Sequence, residues 1–125
     1  MIDASAVVLG LLNDGAARRS LATEELAVPH LVDAEVAHAF RARVRRGTVS
    51  ARDAGRALDR WVRLGVRRYP VQGLLPRGWE LRDSVSAYDA TYVALAEALD
   101  CALLTGDARL AGAPGPTCST VVVRE

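Results

Sequence analysis

The chain has 125 residues, 50% of them hydrophobic and 25% charged, with a formal net charge of +1. This is the composition of one ordinary globular domain spanning residues 1–125, and it excludes collagen-like, intrinsically disordered and disulfide-scaffold chains. The near-neutral total hides a division. All 16 basic residues are arginines, and ten of them lie between Arg41 and Arg68 beside only Asp53 and Asp59, so that segment carries +8 and the remainder −7. A GC-rich coding sequence accounts for arginine over lysine; it does not account for the clustering.

Met1-Ile2 reads as a short first strand ending at Asp3. The apolar run Ala6 to Leu12 fits a helix or a buried strand, because periodicity does not separate the two over that length. Leu26 to Val28 is a strand candidate. His30 to Arg46 is a predicted helix, with Val32, Val36, Phe40 and Val44 at four-residue spacing and Gly47 as its stop. Ser50, with Asp53 three residues later, is a capping box that opens a helix to Leu64, ended by Gly65. Val66 to Val71 is a strand candidate broken by Pro70. Leu74 to Arg82 and Ala87 to Leu99 are predicted helices, the second with Tyr88, Tyr92, Leu95 and Leu99 on one face. Cys101 to Thr105 is a strand followed by a short helix, and Thr120 to Val123 is a last strand. Strands alternating with helices predict a parallel α/β sheet, which binds its ligands at the carboxyl ends of the strands.

Cys101 and Cys118 have no zinc-type spacing and read as reduced thiols of a cytoplasmic protein. The N-terminus lacks a signal-peptide pattern. The longest uncharged stretch, Leu110 to Val123, is broken by glycine and proline and is too short for a membrane span.

Three acids fall at strand-to-helix or helix-start positions: Asp3, Asp89 and Asp107. Glu35 lies in the first turns of the His30 helix. Singly, each has an ordinary explanation as a helix cap or a partner of the helix dipole. Together, the topology brings all four to one end of the sheet. Carboxylates gathered there repel and raise one another's pKa, a conflict that a divalent cation resolves. Oxygen-only donors suit Mg²⁺ or Mn²⁺ rather than zinc.

Four segments carry a resemblance: Asp3-Ala4-Ser5-Ala6, Val28-Pro29-His30-Leu31-Val32-Asp33-Ala34-Glu35-Val36, Ser86-Ala87-Tyr88-Asp89-Ala90-Thr91-Tyr92 and Leu103-Leu104-Thr105-Gly106-Asp107-Ala108-Arg109-Leu110. In order and spacing they resemble the acidic motifs of PIN-domain nucleases, most closely VapC toxins of bacterial toxin–antitoxin pairs. The resemblance implies a Rossmann-like central parallel sheet of about four to five strands flanked by helices. It also implies a Mg²⁺- or Mn²⁺-dependent endoribonuclease, a homodimer, and neutralisation by a VapB antitoxin. Carried over by motif, Asp3, Glu35, Asp89 and Asp107 are the catalytic and metal-holding acids, with Ser5 and Thr105 orienting them. Only Met1 and Ile2 precede Asp3, where family members have a longer first strand. A helical projection does not choose between Asp33 and Glu35; the resemblance selects Glu35 and leaves Asp33 as a solvated or supporting acid.

An acidic pocket does not attract RNA unaided, so the arginines are candidates for holding the backbone. Arg41 and Arg45 end one helix beside Arg43 and Arg46; Arg52, Arg56, Arg60 and Arg63 form one basic face of the next; Arg82 and Arg109 neighbour the acidic motifs. Whether this segment faces the pocket or a partner stays open. Trp61, Trp79, Tyr88 and Tyr92 read as core. His30 and His38, eight residues and about 12 Å apart along one helix, are too distant to act as an acid–base pair. A receiver domain would need a lysine, and a haloacid-dehalogenase-type phosphatase a second acid at position 5. A non-catalytic PIN-fold module binding RNA or an antitoxin is the alternative from another class.

Overall fold

In the computed structural model, which describes residues 1–124, seven helices and four three-residue strands alternate. The run from Ala6 to Leu12 belongs to a helix, α1 (Ala4–Leu12), with Asp3 as its N-cap: a carboxylate oxygen of Asp3 accepts from the Ala6 N–H at 3.0 Å. Five of its nine residues are buried, so α1 is an interior helix with apolar residues on nearly every side. Helix α2 (Ala16–Thr23) has no counterpart among the elements predicted from sequence. It packs close to α1 because Gly10 has no side chain; a Cβ there would meet the Ala17 backbone at 3.1 Å.

Strand β1 (Ala27–Pro29) leads into α3 (Leu31–Arg45), whose Val32, Val36 and Phe40 are buried as their spacing predicts. Gly47, with φ of 77°, supplies the left-handed residue that ends α3. Its N–H bonds the Val44 carbonyl and the Thr48 N–H bonds the Arg43 carbonyl, a Schellman closure. Ser50 caps α4 (Ala51–Arg63) through the Asp53 N–H as expected, and Ala54, Ala57 and Trp61 are buried. Strand β2 (Arg67–Tyr69) follows, then a single 3₁₀ turn (Gln72–Leu74) and α5 (Leu75–Glu80) in place of one longer helix. Helix α6 (Ala87–Ala98), capped by Ser86, is buried continuously from Ala90 to Ala96. Strand β3 (Leu103–Thr105), α7 (Ala108–Ala111) and β4 (Thr120–Val122) complete the order.

All described pairings are parallel: β1 with β2, β3 with β4, and a bridge from Ile2 to Leu104. The short first strand is thus a single bridge, closed by the Leu104 N–H to the Met1 carbonyl and the Asp3 N–H to the Leu104 carbonyl. Two residues suffice because Ile2, fully buried, anchors the segment in the core with Val7, Val28, Val93 and Leu103. Two aromatic expectations need correction. Trp61 and Tyr92 are 1% exposed, but Trp79 and Tyr88 are 70% and 64% exposed. On α6 the buried face runs through Tyr92 and Leu95, and Tyr88 and Leu99 lie at its wet ends.

Candidate active site

The chain turns from strand to helix at Asp3 and again at Asp107, and two hydroxyls tie those turns together. Ser5 Oγ donates to an Asp3 carboxylate oxygen at 2.6 Å and accepts from the Gly106 N–H at 2.8 Å. It also lies 3.3 Å from Thr105 Oγ1; with the Ser5 proton committed to Asp3, Thr105 is the donor there. Thr105 Oγ1 in turn accepts from the Asp107 N–H at 3.0 Å. Gly106 is required by this closeness, since a Cβ would stand 2.9 Å from Leu9 and 3.2 Å from Ser5 Oγ. The resemblance implies a supporting role for Ser5 and Thr105; in the structure they link the Asp3 and Asp107 turns.

Asp3 is buried, at 5% exposure, and Glu35, Asp89 and Asp107 are half-buried. Burial raises the pKa of Glu35, and the charges of Asp89 and Asp3 raise it further against the hydrogen bond from Tyr92. Burial likewise raises that of Asp89, followed by the charges of Asp3 and Asp107. The four acids therefore share one electrostatic neighbourhood, as their motif order predicts. Asp107 is the exception in sign. Hydrogen bonds from Arg109, at 3.2 and 3.1 Å, hold its carboxyl below the usual range. Arg109 itself is 92% exposed and free to swing away.

The donors are carboxylates and hydroxyls, an oxygen-only set that fits Mg²⁺ or Mn²⁺ and does not fit zinc. Burial and neighbouring acids together raise Glu35 and Asp89, and a cation would offset both. Among the described residues, no group of three or more His, Cys, Asp or Glu side chains is placed so that it could hold a metal ion. Asp3 is turned toward Ser5, Glu35 toward Tyr92 and Asp107 toward Arg109.

The sequence marks Tyr92 only as core. Its ring is core, but its hydroxyl donates to Glu35 at 2.7 Å across α3 and α6. The signal is its position: Tyr92 follows Asp89 by three residues, so the two share a helix face. The choice between Asp33 and Glu35 also has a physical answer. Asp33 accepts from Arg68 Nε and Nη2 at 2.7 and 2.9 Å and from Trp61 Nε1 at 2.7 Å. It joins α3 to α4 and β2 and is spent on the fold; of the two, Glu35 turns to the acidic pocket.

The arginines are not one basic face. Arg56, Arg60 and Arg63 line a concavity of about 700 Å³ that also contains Asp53, Asp59 and Arg18. Arg60 Nη2 donates to the Leu11 carbonyl, and Arg18 bonds the carbonyls of Gly10 and Leu11, closing the C-terminus of α1. Arg82 stacks over Trp79 at 5.0 Å on the rim of an apolar groove. Arg41, Arg45 and Arg52 are exposed on α3 and α4.

The PIN domain family model matches residues 1–115. Ribonuclease VapC9 of Mycobacterium tuberculosis is 54% identical over 123 residues, covering 98% of this chain and 97% of that protein. Ribonuclease VapC1 of the same organism is 47% identical over 129 residues, covering 99% and 97%. In fold, the chain is similar to the crystal structure of PAE2754 from Pyrobaculum aerophilum, with a TM-score of 0.71, 24% identity, and 95% and 80% of the two chains covered. It is also similar to M. tuberculosis VapC20, described as a sarcin–ricin loop cleaving toxin, with a TM-score of 0.63, 22% identity, and 89% and 92% covered. The strand ends, the gathered acids and these likenesses agree: the chain belongs to the PIN-domain family, among the VapC ribonucleases.

Proposed function

We propose that the protein is a metal-dependent endoribonuclease of a toxin–antitoxin pair, with Asp3, Glu35, Asp89 and Asp107 as its catalytic acids. The observation that carries this reading is that Glu35 and Asp89, each raised first by burial, are raised further by neighbouring acids that the chain brings from separate elements. A fold has no structural use for such repulsion, and a cation site does. When bound, Mg²⁺ or Mn²⁺ supplies charge neutralisation and Lewis acidity toward the scissile phosphate and the attacking water.

The chain's own residues do the rest. Ser5 orients the Asp3 carboxylate, and Thr105 fixes the backbone turn at Asp107. Tyr92 holds one oxygen of Glu35, and with its raised pKa the Glu35 carboxylate is the group suited to accept a proton from water. Arg109, on leaving Asp107, becomes available to phosphate. In-line attack would leave 5′-phosphate and 3′-hydroxyl ends. The VapC relatives support a VapB-type antitoxin as inhibitory partner, and the family resemblance implies a homodimer as the working form.

Cleavage of total RNA by wild type in Mg²⁺ or Mn²⁺, lost in Asp3→Asn and Asp89→Asn, is the expected result. Products ending in 2′,3′-cyclic phosphate would reject the metal mechanism.

A further inference from the structure

Helix α3 carries Glu35, Ala39, Ala42, Arg43 and Arg46 at intervals of four, three, one and three residues, which places them on one stripe. The stripe faces α1. Between the two helices lies a groove of about 380 Å³, lined by Ser5, Val8, Leu9, Ala39, Ala42 and Gly106 together with Arg43 and Arg46. Ser5 and Gly106 belong to the network that orients Asp3, so the groove adjoins the turns that carry Asp3 and Asp107. Its acid end and its arginine end are separated by eight to eleven residues of helix, about 12 to 16 Å.

We propose that this groove is the track on which the backbone of single-stranded RNA lies next to the site, with Arg43 and Arg46 holding phosphates about three to five nucleotides from the scissile bond, taking 3.4 Å per stacked nucleotide. This rests on the ribonuclease reading of the acidic pocket. Three observations carry it. First, the two guanidinium groups are uncommitted, since among the described residues neither makes an ion pair or a side-chain hydrogen bond. Secondly, they are not needed to close α3, because the Arg43 and Val44 carbonyls are already taken by the N–H groups of Thr48 and Gly47. Thirdly, Ser5, Ala39, Ala42 and Gly106 keep the groove open beside Val8 and Leu9, and proteins commonly read RNA as single strands. The arginines of α4 are placed differently. They share their concavity with Asp53 and Asp59, and Arg60 is spent on α1.

The test uses Arg43→Gln/Arg46→Gln, with Arg41→Gln/Arg45→Gln as a control of equal charge on the same helix. Binding of a fluorescein-labelled single-stranded RNA 12-mer is followed by anisotropy in an Asp89→Asn background, and cleavage in the active protein. Loss of two phosphate contacts lowers the salt slope by about 1.4 and the affinity at 0.1 M salt by about 25-fold. The control pair changes both by much less, and all variants keep the wild-type melting temperature. Equal losses in the two pairs would reduce the effect to net charge and overturn the inference. So would unchanged binding in the groove pair, or displacement of the RNA by polyglutamate of the same net charge, which would mark a surface for an acidic protein partner. Absence of metal-dependent cleavage by wild type, with groove-dependent RNA binding intact, would instead overturn the catalytic reading and leave the track standing.

Discussion

Asp33 and Glu35 stand two residues apart on α3 and have opposite fates. The Asp33 pKa is lowered, first by its hydrogen bonds from Arg68 and then by that from Trp61, against the cost of burial. That of Glu35 is raised by burial and by Asp89 and Asp3. The same contrast divides the molecule. Glu97 is pulled down to about 2 by Arg77 and the Thr117 N–H, where it pins the segment before β4 to α5 and α6. Asp89, one face of α6 away, is pushed up by burial and by its acidic neighbours. Asp33 and Glu97 have arginine partners; Glu35 and Asp89 have acidic neighbours. The charge type does not distinguish the two groups, and the partners do.

The largest effect should come from neutralising the pocket. Glu35→Gln and Asp89→Asn are expected to lower the cleavage rate by about 10²–10⁴-fold. Their melting temperatures without metal should hold or rise, because a repulsive charge is removed. A parallel loss of stability would place these residues with Asp33 and break the contrast. The reverse pattern is expected of Asp33→Ala. It strands the Arg68 guanidinium and the Trp61 N–H in a half-buried site, at a cost of about 2–3 kcal/mol. Thermal unfolding should shift down by several degrees while the rate per folded molecule is kept.

Metal sharpens the comparison from the other side. At ten times its dissociation constant, Mg²⁺ or Mn²⁺ should add about 1.4 kcal/mol to the wild type, read as a higher melting temperature. Asp107→Asn should weaken that response, and Asp33→Ala should leave it intact. The smallest effect is in acid. The folded pKa of Glu97, about 2, lies below its ordinary value of 4.5, so its contribution is complete above pH 4.5 and fades as pH falls toward 2. Glu97→Gln should flatten that limb of the stability profile in circular dichroism melts. Glu35 and Asp89, with raised pKa values, act in the opposite sense: protonation as pH falls relieves the folded state.

Much of this division is written in local sequence. The Ser50 and Ser86 caps, the Gly47 stop and the four-residue apolar spacing of α3 are short-range signals, and each forms as its residues dictate. The order of the four acidic motifs foretells the gathering of the site. What escapes depends on contacts between distant segments. The Asp33–Arg68–Trp61 junction spans 28 to 35 residues, and the Tyr92–Glu35 bond spans 57. The arginines of α4 look like one basic face because helical spacing alone does not reveal that Arg60 reaches the end of α1. Helix α2 is short and mostly polar, and only the small Gly10 beneath it marks where it docks.

The knot at Ser5 has a consequence for synthesis. Its bonds to Thr105 and Gly106 close loops of 100 and 101 residues, among the longest in the chain. Contacts so far apart in sequence form late, after loop-closure entropy has been met by the rest of the core. A growing chain on the ribosome, which emerges N-terminus first, therefore carries Asp3 and Glu35 long before it has a working centre. Catalytic competence waits for the segment through Asp107, so stalled or prematurely ended products should be inert, and the delay is built into the topology itself.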